Sequence, residues 1–335
     1  MADAQTIETL FHLYDQGAQK LEEKKGSYLE GLILFGESVA SGELLLQVSP
    51  HIRTEVEKLM RRIEERTYSR EEVRRAFQLA ILKGLKKIRL PAGAIITPDA
   101  VSLLVANMVS RFLEGKKGVS VVDLACGSGN LLTAVLNHLP EYKEAYGIDW
   151  DPLLIRLAYV NANLQQHEVQ FFRQDALERL FFTRVDAVIS DLPVGEYINK
   201  ERAKLFDLYA EDTPCLIHHL LIEQGLHISQ EGAYLFFIIP NSLFTDPGAG
   251  RLRQLITEES YIQALLELPA NLFQEGSVHK SIFILQKKGE GVIKPPSTLL
   301  ARLPSLSDRG EMKRMWQEIE GWLEAKREVE TKQRS

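Results

Sequence analysis

Residues 121–136 read VVDLACGSGNLLTAVL, and this stretch decides the fold. An apolar run long enough for a strand leads into a turn with two glycines, and apolar residues at helical spacing follow at once. Gly127 and Gly129 let a ligand approach the backbone closely, because no side chain stands in the way. A buried strand that passes through a glycine turn into a helix is typical of ligand-binding α/β sheets.

Working outward, short apolar runs alternate with helical segments from about residue 118 onward. They are nearly continuous in Val, Ile, Leu, Phe and Ala, as expected for strands buried on both faces. The alternation predicts an α/β fold with a doubly wound, mainly parallel, seven-stranded sheet. The last two runs have only a short, irregular segment between them, so we expect them to pair antiparallel. The runs are 119–125, 145–150, 169–174, 185–191, 233–240, 261–268 and 281–287.

Upstream of the sheet, residues 1–90 are rich in Leu, Glu, Lys and Arg at helical spacing and predict a helical N-terminal domain. We expect a ligand-binding domain over 91–290 and a C-terminal extension with an amphipathic helix over 291–335. The apolar stripe of that helix, which includes Ile319 and Leu323, is expected to pack on the chain's own fold. The second half of the N-terminal domain is locally basic. Interleaved acids favour solvated helix faces there, and a nucleic-acid surface is the alternative.

Composition excludes several classes of protein. With 335 residues, 45% hydrophobic and 26% charged, the chain is neither disordered nor fibrous. Lys and Arg total 40 against 46 Asp and Glu, a net charge of −6, which argues against non-specific coating of nucleic acid. The two cysteines lack disulfide or metal spacing, which indicates a reducing compartment. Neither a signal peptide nor an apolar run of the ~20 residues that a membrane span needs is found, so a cytoplasmic location is expected.

Acidic residues follow three neighbouring strands and point to the ligand. Asp123 precedes the glycine turn, where it would repel a pyrophosphate but suits a cationic group, and bulky Leu132 departs from the dinucleotide fingerprint. At the end of the second strand, Asp149 can accept both ribose hydroxyls and Trp150 can lie against an adenine ring. Asp175, after the third strand, can accept from the adenine amino group. The predicted ligand is S-adenosyl-L-methionine.

Asp151 is the alternative ribose acceptor. Because Pro152 follows it, the pair also reads as the start of a helix with Pro at its first position.

The sequence resembles a known family at these motifs. DLACGSGNLL (123–132) is similar to DPACGSGxxL, the first motif of class I methyltransferases of the adenine-N6 DNA methylase type, with Leu124 in place of proline. Within that type it is most like the methylation subunit of type I restriction-modification systems. The segment 94–105 resembles the part that folds over the methionine end of the cofactor, with Thr97 at the matching position. The likeness covers about residues 88–288 and suggests the stand-alone YtxK-like branch.

The resemblance implies a set of cofactor-binding residues. They are Thr97, Asp123, Ala125, Cys126, Gly127, Gly129, Asn130, Asp149, Trp150, Asp175 and Asp191.

The fourth strand runs into VISDLPVGEY (188–197), where the family pattern is Asn-Pro-Pro-aromatic. In that pattern the first side chain and a following carbonyl accept the hydrogens of the target amine, and the aromatic residue stacks on a flipped base. The resemblance implies that Asp191 is the acceptor and that Pro193 matches the second proline. Val194 stands at the aromatic position, so Tyr197 is the candidate replacement. We therefore predict Asp191, Pro193 and Tyr197 as catalytic residues.

The resemblance implies a methyltransferase that acts on adenine N6 in DNA. A DNA substrate would require a separate specificity subunit or the basic N-terminal helices to read it. Two alternatives stay open: an RNA base or a protein amide as the acceptor, and a catalytically silent cofactor-binding protein that acts through partners. Cys215, His218, His219 and His227 lack metal-ligand spacing, and no metal is predicted.

Overall fold

The computed structural model describes residues 2–88, 96–273 and 277–334. The chain divides into two compact units, of which the first comprises Met1–Asn107 and Cys126–Arg173 and the second Met108–Ala125 and Gln174–Ser335. In chain order the elements are α1 (Ala4–Lys25), α2 (Tyr28–Ser41), α3 (Pro50–Glu64), α4 (Arg70–Lys87), α5 (Asp99–Phe112), β1 (Val119–Asp123), α6 (Asn130–His138), β2 (Tyr142–Asp149), α7 (Pro152–Leu164), β3 (Gln170–Arg173), β4 (Val185–Asp191), α8 (Lys200–Ala203), α9 (Ile217–Ile228), β5 (Ser229–Pro240), α10 (Ala249–Glu259), β6 (Ser260–Glu267), β7 (Lys280–Lys287), β8 (Leu299–Arg302) and α11 (Arg309–Arg334).

Helices α1 to α4 confirm the helical N-terminal stretch. Each begins at a side-chain cap that satisfies a backbone N–H of the first turn, and Ser69 with Glu72 forms a capping box at α4. The stripes predicted from spacing are buried in one core, for example through Leu10, Tyr14 and Phe77. Packing of these apolar faces stabilises the helices more than their intrinsic propensity does.

The rest of the first unit holds α6, β2, α7 and β3. Strands β2 and β3 pair in parallel, with Asp149 opposite Arg173 at the end of the ladder. Helix α7 begins where the sequence predicted: Asp151 caps it by accepting from the N–H groups of Leu153 and Leu154, and Pro152 is its first residue. This cap fixes the direction in which the chain leaves β2, next to Asp149.

In the second unit the strand order is β1-β4-β5-β7-β6-β8. Strands β1, β4 and β5 are parallel, whereas β7 is antiparallel to both β5 and β6, as predicted. Strand β8 was not predicted: it pairs in parallel with β6 and is additional to the seven strands expected from the sequence. With four residues, of which Leu300 is exposed, β8 lacks the continuous apolar run by which the other strands are found.

Helix α11 packs on the second unit through its apolar stripe, as predicted. Ile319 and Leu323 are buried, and Trp322 donates from Nε1 to the carbonyl of Ser297 at 3.0 Å. The guanidinium of Arg111 lies 5.1 Å from the ring centroid of Trp316. Within the described ranges, no helix is both long and apolar enough to span a bilayer.

A lysine of α11 is buried and provides a test of this packing. The Lys326 ammonium donates to the Tyr234 hydroxyl and lies 5.4 Å from the ring centroid of Phe112. Burial lowers the pKa of Lys326 from 10.5 to about 8, although Glu330 opposes the shift. The unfolded chain therefore binds more protons than the native chain between these values, so this site's contribution to the free energy of unfolding rises with pH.

From pH 7 to pH 10.5, we expect the free energy of unfolding of the wild type to rise by about 3 kcal/mol relative to that of Lys326→Met. Urea unfolding at several pH values measures the difference, and subtraction removes the titration of groups that both proteins share. A difference that stays constant over this range would contradict a buried, charged Lys326.

Candidate functional site

The glycine loop is fastened to the end of β2 within the first unit. The Cys126 N–H donates to the Ile148 carbonyl at 2.8 Å, and the Gly127 N–H donates to Asp149 Oδ2 at 2.9 Å. The other carboxylate oxygen of Asp149 accepts from the Asp151 N–H at 2.9 Å. Burial raises the pKa of Asp149, against the lowering effect of these backbone donors. The sequence therefore places a half-buried carboxylate where the loop turns.

Both predicted glycines have left-handed backbone, with φ of +53° at Gly127 and +76° at Gly129. A Cβ on Gly129 would lie 3.2 Å from Cα of Ala158 in α7, so close helix packing requires this glycine in addition to its φ. Asn161 of α7 donates to the Ser128 carbonyl at 3.1 Å and holds the loop from the same side. The Ser128 hydroxyl is buried and makes no hydrogen bond to the described residues.

An arginine that the sequence analysis assigned to a solvated face is buried instead. Arg74 of α4 is 0% exposed and binds three partners in the first unit. Its guanidinium donates to both carboxylate oxygens of Glu71 at 2.8 and 2.6 Å, to Asp99 at 2.5 Å and to Asn130 Oδ1 at 2.5 Å. The expectation of solvated basic faces is therefore wrong at Arg74, because Asp99 and Asn130, far along the chain, supply the partners.

The predicted cofactor residues Asn130 and Thr97 belong to the same network. Asn130 accepts from Arg74 and donates from Nδ2 to the Thr97 carbonyl at 3.0 Å and to the Ser102 hydroxyl at 3.2 Å. The Asn130 amide is thus used inside the protein, and both residues are buried. Arg74 therefore fixes the first residue of α6 and the threonine of the upstream motif relative to each other.

Other basic side chains of the N-terminal helices are neutralised locally. Lys83 pairs with Asp15 at 2.6 Å, and Lys87 with Glu22 at 2.7 Å. The solvated face expected from the sequence is found around the turn between α3 and α4, where Arg61, Arg62 and Arg66 are exposed. A nucleic-acid surface there would be smaller than the sequence alone indicated.

Two predicted residues of the second unit, Asp175 and Tyr197, are hydrogen-bonded to each other, and Asp123 lies in the same unit. Asp175 Oδ1 accepts from the Leu177 N–H at 2.9 Å, and Oδ2 accepts from the Tyr197 hydroxyl at 2.5 Å. Burial and Asp175 both raise the pKa of Tyr197, so the phenol stays protonated and donates. Asp123, at the end of β1, is buried, and its Oδ1 accepts from the Ala125 N–H at 3.1 Å.

The environment of Tyr197 argues against the stacking role proposed for it from sequence. The residue is 7% exposed, and its backbone N–H donates to the Cys215 carbonyl at 2.7 Å. A ring in this position offers little face to a base, whereas its hydroxyl orients Asp175. Stacking by Tyr197 stays a prediction, and the geometry favours a positioning role.

The predicted acceptor Asp191 ends β4 and has a partner that the sequence analysis did not assign to it. Lys280, the first residue of β7, donates from Nζ to Asp191 Oδ1 at 2.5 Å, and both side chains are largely buried. The next residue, Leu192, donates its N–H to the Ile238 carbonyl at 3.0 Å. Proline cannot make that bond, which gives a physical reason for the departure from the family pattern at Leu192.

Beyond Leu192 the loop is exposed and apolar. Pro193, Val194 and Ile198 are all solvent-accessible, and Ile198 is 90% exposed. In the first unit, the Trp150 ring that follows Asp149 is 77% exposed. Exposed large apolar side chains beside a site are surfaces on which a flat ligand can pack.

The fold described above is that of a class I methyltransferase, as the solved structures show. A Listeria monocytogenes protein, provisionally described as a class I S-adenosylmethionine-dependent methyltransferase, is 36% identical, with a TM-score of 0.87 over 96% of this chain and 100% of its own. A type I restriction-modification methyltransferase subunit from Streptococcus thermophilus shares the fold at 18% identity, with a TM-score of 0.58 over 87% of this chain and 67% of its own.

The N-6 DNA Methylase family model matches residues 86–298, and the model of the YtxK N-terminal helical domain matches residues 8–85. The chain belongs to the N-6 DNA methylase family. Protein YtxK of Bacillus subtilis is 39% identical over 95% of this chain and 97% of its own. The MpnII type I restriction enzyme methylase subunit of Mycoplasma pneumoniae is 24% identical over 58% of this chain and 40% of that subunit. The resemblance stated from the motifs is confirmed.

Proposed function

We propose that this protein is an S-adenosyl-L-methionine-dependent N-methyltransferase that modifies an exocyclic amine, adenine N6 in DNA. The observation that carries the proposal is the carboxylate of Asp149 bound to the Gly127 N–H, in a chain of the N-6 DNA methylase family. A carboxylate fixed beside a glycine turn at the end of the second strand is the arrangement that recognises a ribose in open α/β sheets.

The residues of the first unit fit the nucleoside part of this cofactor. Each oxygen of Asp149 accepts one backbone N–H, and a carboxylate has about four lone-pair positions, so ribose hydroxyls can still donate to it. Trp150 supplies an exposed aromatic face for adenine, and Gly127 has no side chain to obstruct the approach. When bound, S-adenosyl-L-methionine supplies an electrophilic methyl group on a sulfonium.

In the second unit, Asp191 would orient the target amine. Its carboxylate accepts N–H hydrogens and so directs the nitrogen lone pair away from itself, which lowers the barrier mainly by alignment. The ion pair with Lys280 holds one oxygen of Asp191 in place. Because a carboxylate accepts several donors, the lysine and the amine can be bound at the same time.

The DNA substrate is proposed from the relatives and has a competitor. The MpnII relative is the methylase subunit of a type I restriction enzyme, and we propose that a separate specificity subunit reads the DNA sequence. The buried ring of Tyr197 and the aliphatic Val194 favour a second candidate, an acceptor that needs no stacked base, such as a protein amide. An acceptor amide would use the same Asp191 contact.

Calorimetry with S-adenosyl-L-methionine, followed by transfer of labelled methyl to pools of DNA, RNA and protein, tests the proposal. We expect one cofactor per chain and label in DNA as N6-methyladenine. Label in protein alone would select the second candidate. Cofactor binding without any acceptor would support a catalytically silent binding protein, and no cofactor binding would overturn the proposal.

Asp149→Asn is expected to weaken cofactor binding about 10- to 100-fold, because a hydrogen bond to a charged group contributes about 1.5–3 kcal/mol. The amide has one oxygen to serve both backbone donors and the ribose. Since burial raises the pKa of Asp149 above 3.8, wild-type affinity should also fall in acid at higher pH than for an exposed aspartate.

Calorimetry at pH 7 measures the loss of affinity in Asp149→Asn, and calorimetry below pH 7 measures the fall in the affinity of the wild type. Asp151→Asn is the matched control: asparagine keeps the helix cap, so the affinity should be unchanged. Loss of affinity in Asp151→Asn but not in Asp149→Asn would show that Asp151, and not Asp149, contacts the ribose.

Lys280→Met is expected to slow methyl transfer about tenfold, because the charge-assisted hydrogen bond that holds Asp191 is lost. Cofactor affinity should not change, and exposed Lys294→Met is the control for the loss of a charge. Faster transfer in Lys280→Met would show instead that Lys280 competes with the amine for Asp191.

A further inference from the structure

Two adjacent histidines at the start of α9 face an aspartate from the segment between β5 and α10. One nitrogen of His218, one of His219 and one carboxylate oxygen of Asp246 lie within 4.8 Å of one another. His218 Nε2 is 3.2 Å from Asp246 Oδ2. The three residues belong to the second unit and are not among the residues proposed above for the cofactor and the amine.

One polar atom of this group lacks the hydrogen bond that burial normally demands. His219 is 4% exposed, and its Nε2 has no hydrogen-bond partner among the described residues. Leaving a buried polar atom unsatisfied is destabilising. The Asp246 carboxylate also accepts from the Ser242 hydroxyl at 3.1 Å and is partly exposed. A buried imidazole nitrogen without a partner, beside a carboxylate, is what a cation would satisfy.

The donor set and its spacing suit one class of ion. Imidazole nitrogen with carboxylate oxygen is a common ligand combination for Zn²⁺ and related transition metals. Two ligand atoms on a tetrahedral zinc, each bound at about 2.0–2.1 Å, are about 3.3 Å apart. The 3.2 Å between His218 Nε2 and Asp246 Oδ2 already has that length. The charge of Lys280, which acts on His218, is compensated by the ion pair with Asp191.

We propose that His218, His219 and Asp246 bind one divalent transition-metal ion of the zinc type. One ring nitrogen of each histidine and one carboxylate oxygen of Asp246 form the set of three protein ligands. Water occupies the fourth position. The ion connects the start of α9 to the segment that follows β5, and so holds in place the loop that contains Asp246.

Spacing along the chain could not indicate this site. From the spacing of Cys215 and the histidines, the sequence predicted no metal. Asp246 lies 28 residues beyond His218 and joins the group only in the folded chain, while Cys215 is not a member.

Metal titration of the full chain tests the proposal without any methyl-transfer assay. After treatment with a chelator, Zn²⁺ is added in a calorimeter, and Co²⁺ is added while its visible absorption bands report coordination. We expect one saturable ion per chain and the intense bands of four-coordinate Co²⁺. His219→Ala and Asp246→Asn should each weaken binding at least about tenfold, whereas exposed His51→Ala should have no effect.

Thermal unfolding separates loss of binding from loss of fold. Zn²⁺ should raise the Tm of the wild type and of His51→Ala but not that of Asp246→Asn. The proposal is overturned if Zn²⁺ shows no saturable binding or binds the three proteins equally. It is also overturned if binding is lost in His227→Ala, because Asp207, Glu223 and His227 form the other group of potential ligands in the described chain.

Discussion

Asp191→Ala is expected to reduce methyl transfer by about 10²–10³-fold and to leave the affinity for S-adenosyl-L-methionine unchanged. Losses of this size follow when one preorganised hydrogen-bonding group is removed from a reacting centre. The alanine has no acceptor for the amine hydrogens, so the nitrogen lone pair is no longer directed. The two quantities are measured by single-turnover transfer of labelled methyl and by calorimetry.

Asp191→Asn is the informative companion, because asparagine is the residue of the family pattern at this position. It keeps an oxygen acceptor but gives up the ion pair with Lys280. We expect it to slow methyl transfer about tenfold, as Lys280→Met does, and so to be much less impaired than Asp191→Ala. If both variants lose cofactor binding, Asp191 serves the cofactor site, as the resemblance also implied, and not the amine. If Asp191→Ala transfers methyl at the wild-type rate, Asp191 has no part in the mechanism.

Arg74→Met is expected to lower the free energy of unfolding by about 3–5 kcal/mol, the range for breaking a buried ion pair from one side. The substitution leaves the carboxylates of Glu71 and Asp99 without their shared guanidinium, and Asn130 Oδ1 without its donor. Because Asn130 also holds the Thr97 carbonyl, cofactor affinity should fall in the molecules that still fold.

Arg75→Met is the matched control for Arg74→Met. Arg75 is the next residue, pairs with the same Asp99 at 3.2 Å, and is partly exposed, so its loss should cost no more than about 1 kcal/mol. Urea unfolding and calorimetry are run on both variants. If both variants lower the free energy of unfolding equally, the net charge of α4 matters and the buried hydrogen bonds of Arg74 do not.

Much of the fold could be predicted because strands buried on both faces are nearly continuous in apolar residues. The runs at β1, β4, β5 and β7 have this pattern, and the short link between β6 and β7 revealed their antiparallel pairing. Strand β8 escaped notice because four half-exposed residues at an edge carry no such pattern. Backbone pairing with β6, a tertiary effect, makes it a strand.

The local parts of the candidate site were predictable, and the long-range partners were not. Asp149 and Gly127 follow from a strand end and a glycine turn, which are features of neighbouring residues. Lys280 is 89 residues from Asp191, and Arg74 is 56 residues from Asn130, so spacing could not connect either pair. Arg74 was misread because its surroundings are charged in sequence, although its side chain points into the protein.

Strand β8 matters for fragments of this chain that end where the family match ends. The family match ends at residue 298, one residue before β8 begins at Leu299. A fragment that ends there would leave the backbone N–H and C=O groups on the outer edge of β6 without their partners in β8. Unpaired strand edges can pair with strands of other chains. Fragments that stop at 298 and fragments that continue through Arg302 both lack α11, so their comparison isolates β8. Those that stop at 298 should self-associate more, because β8 no longer covers the edge of β6.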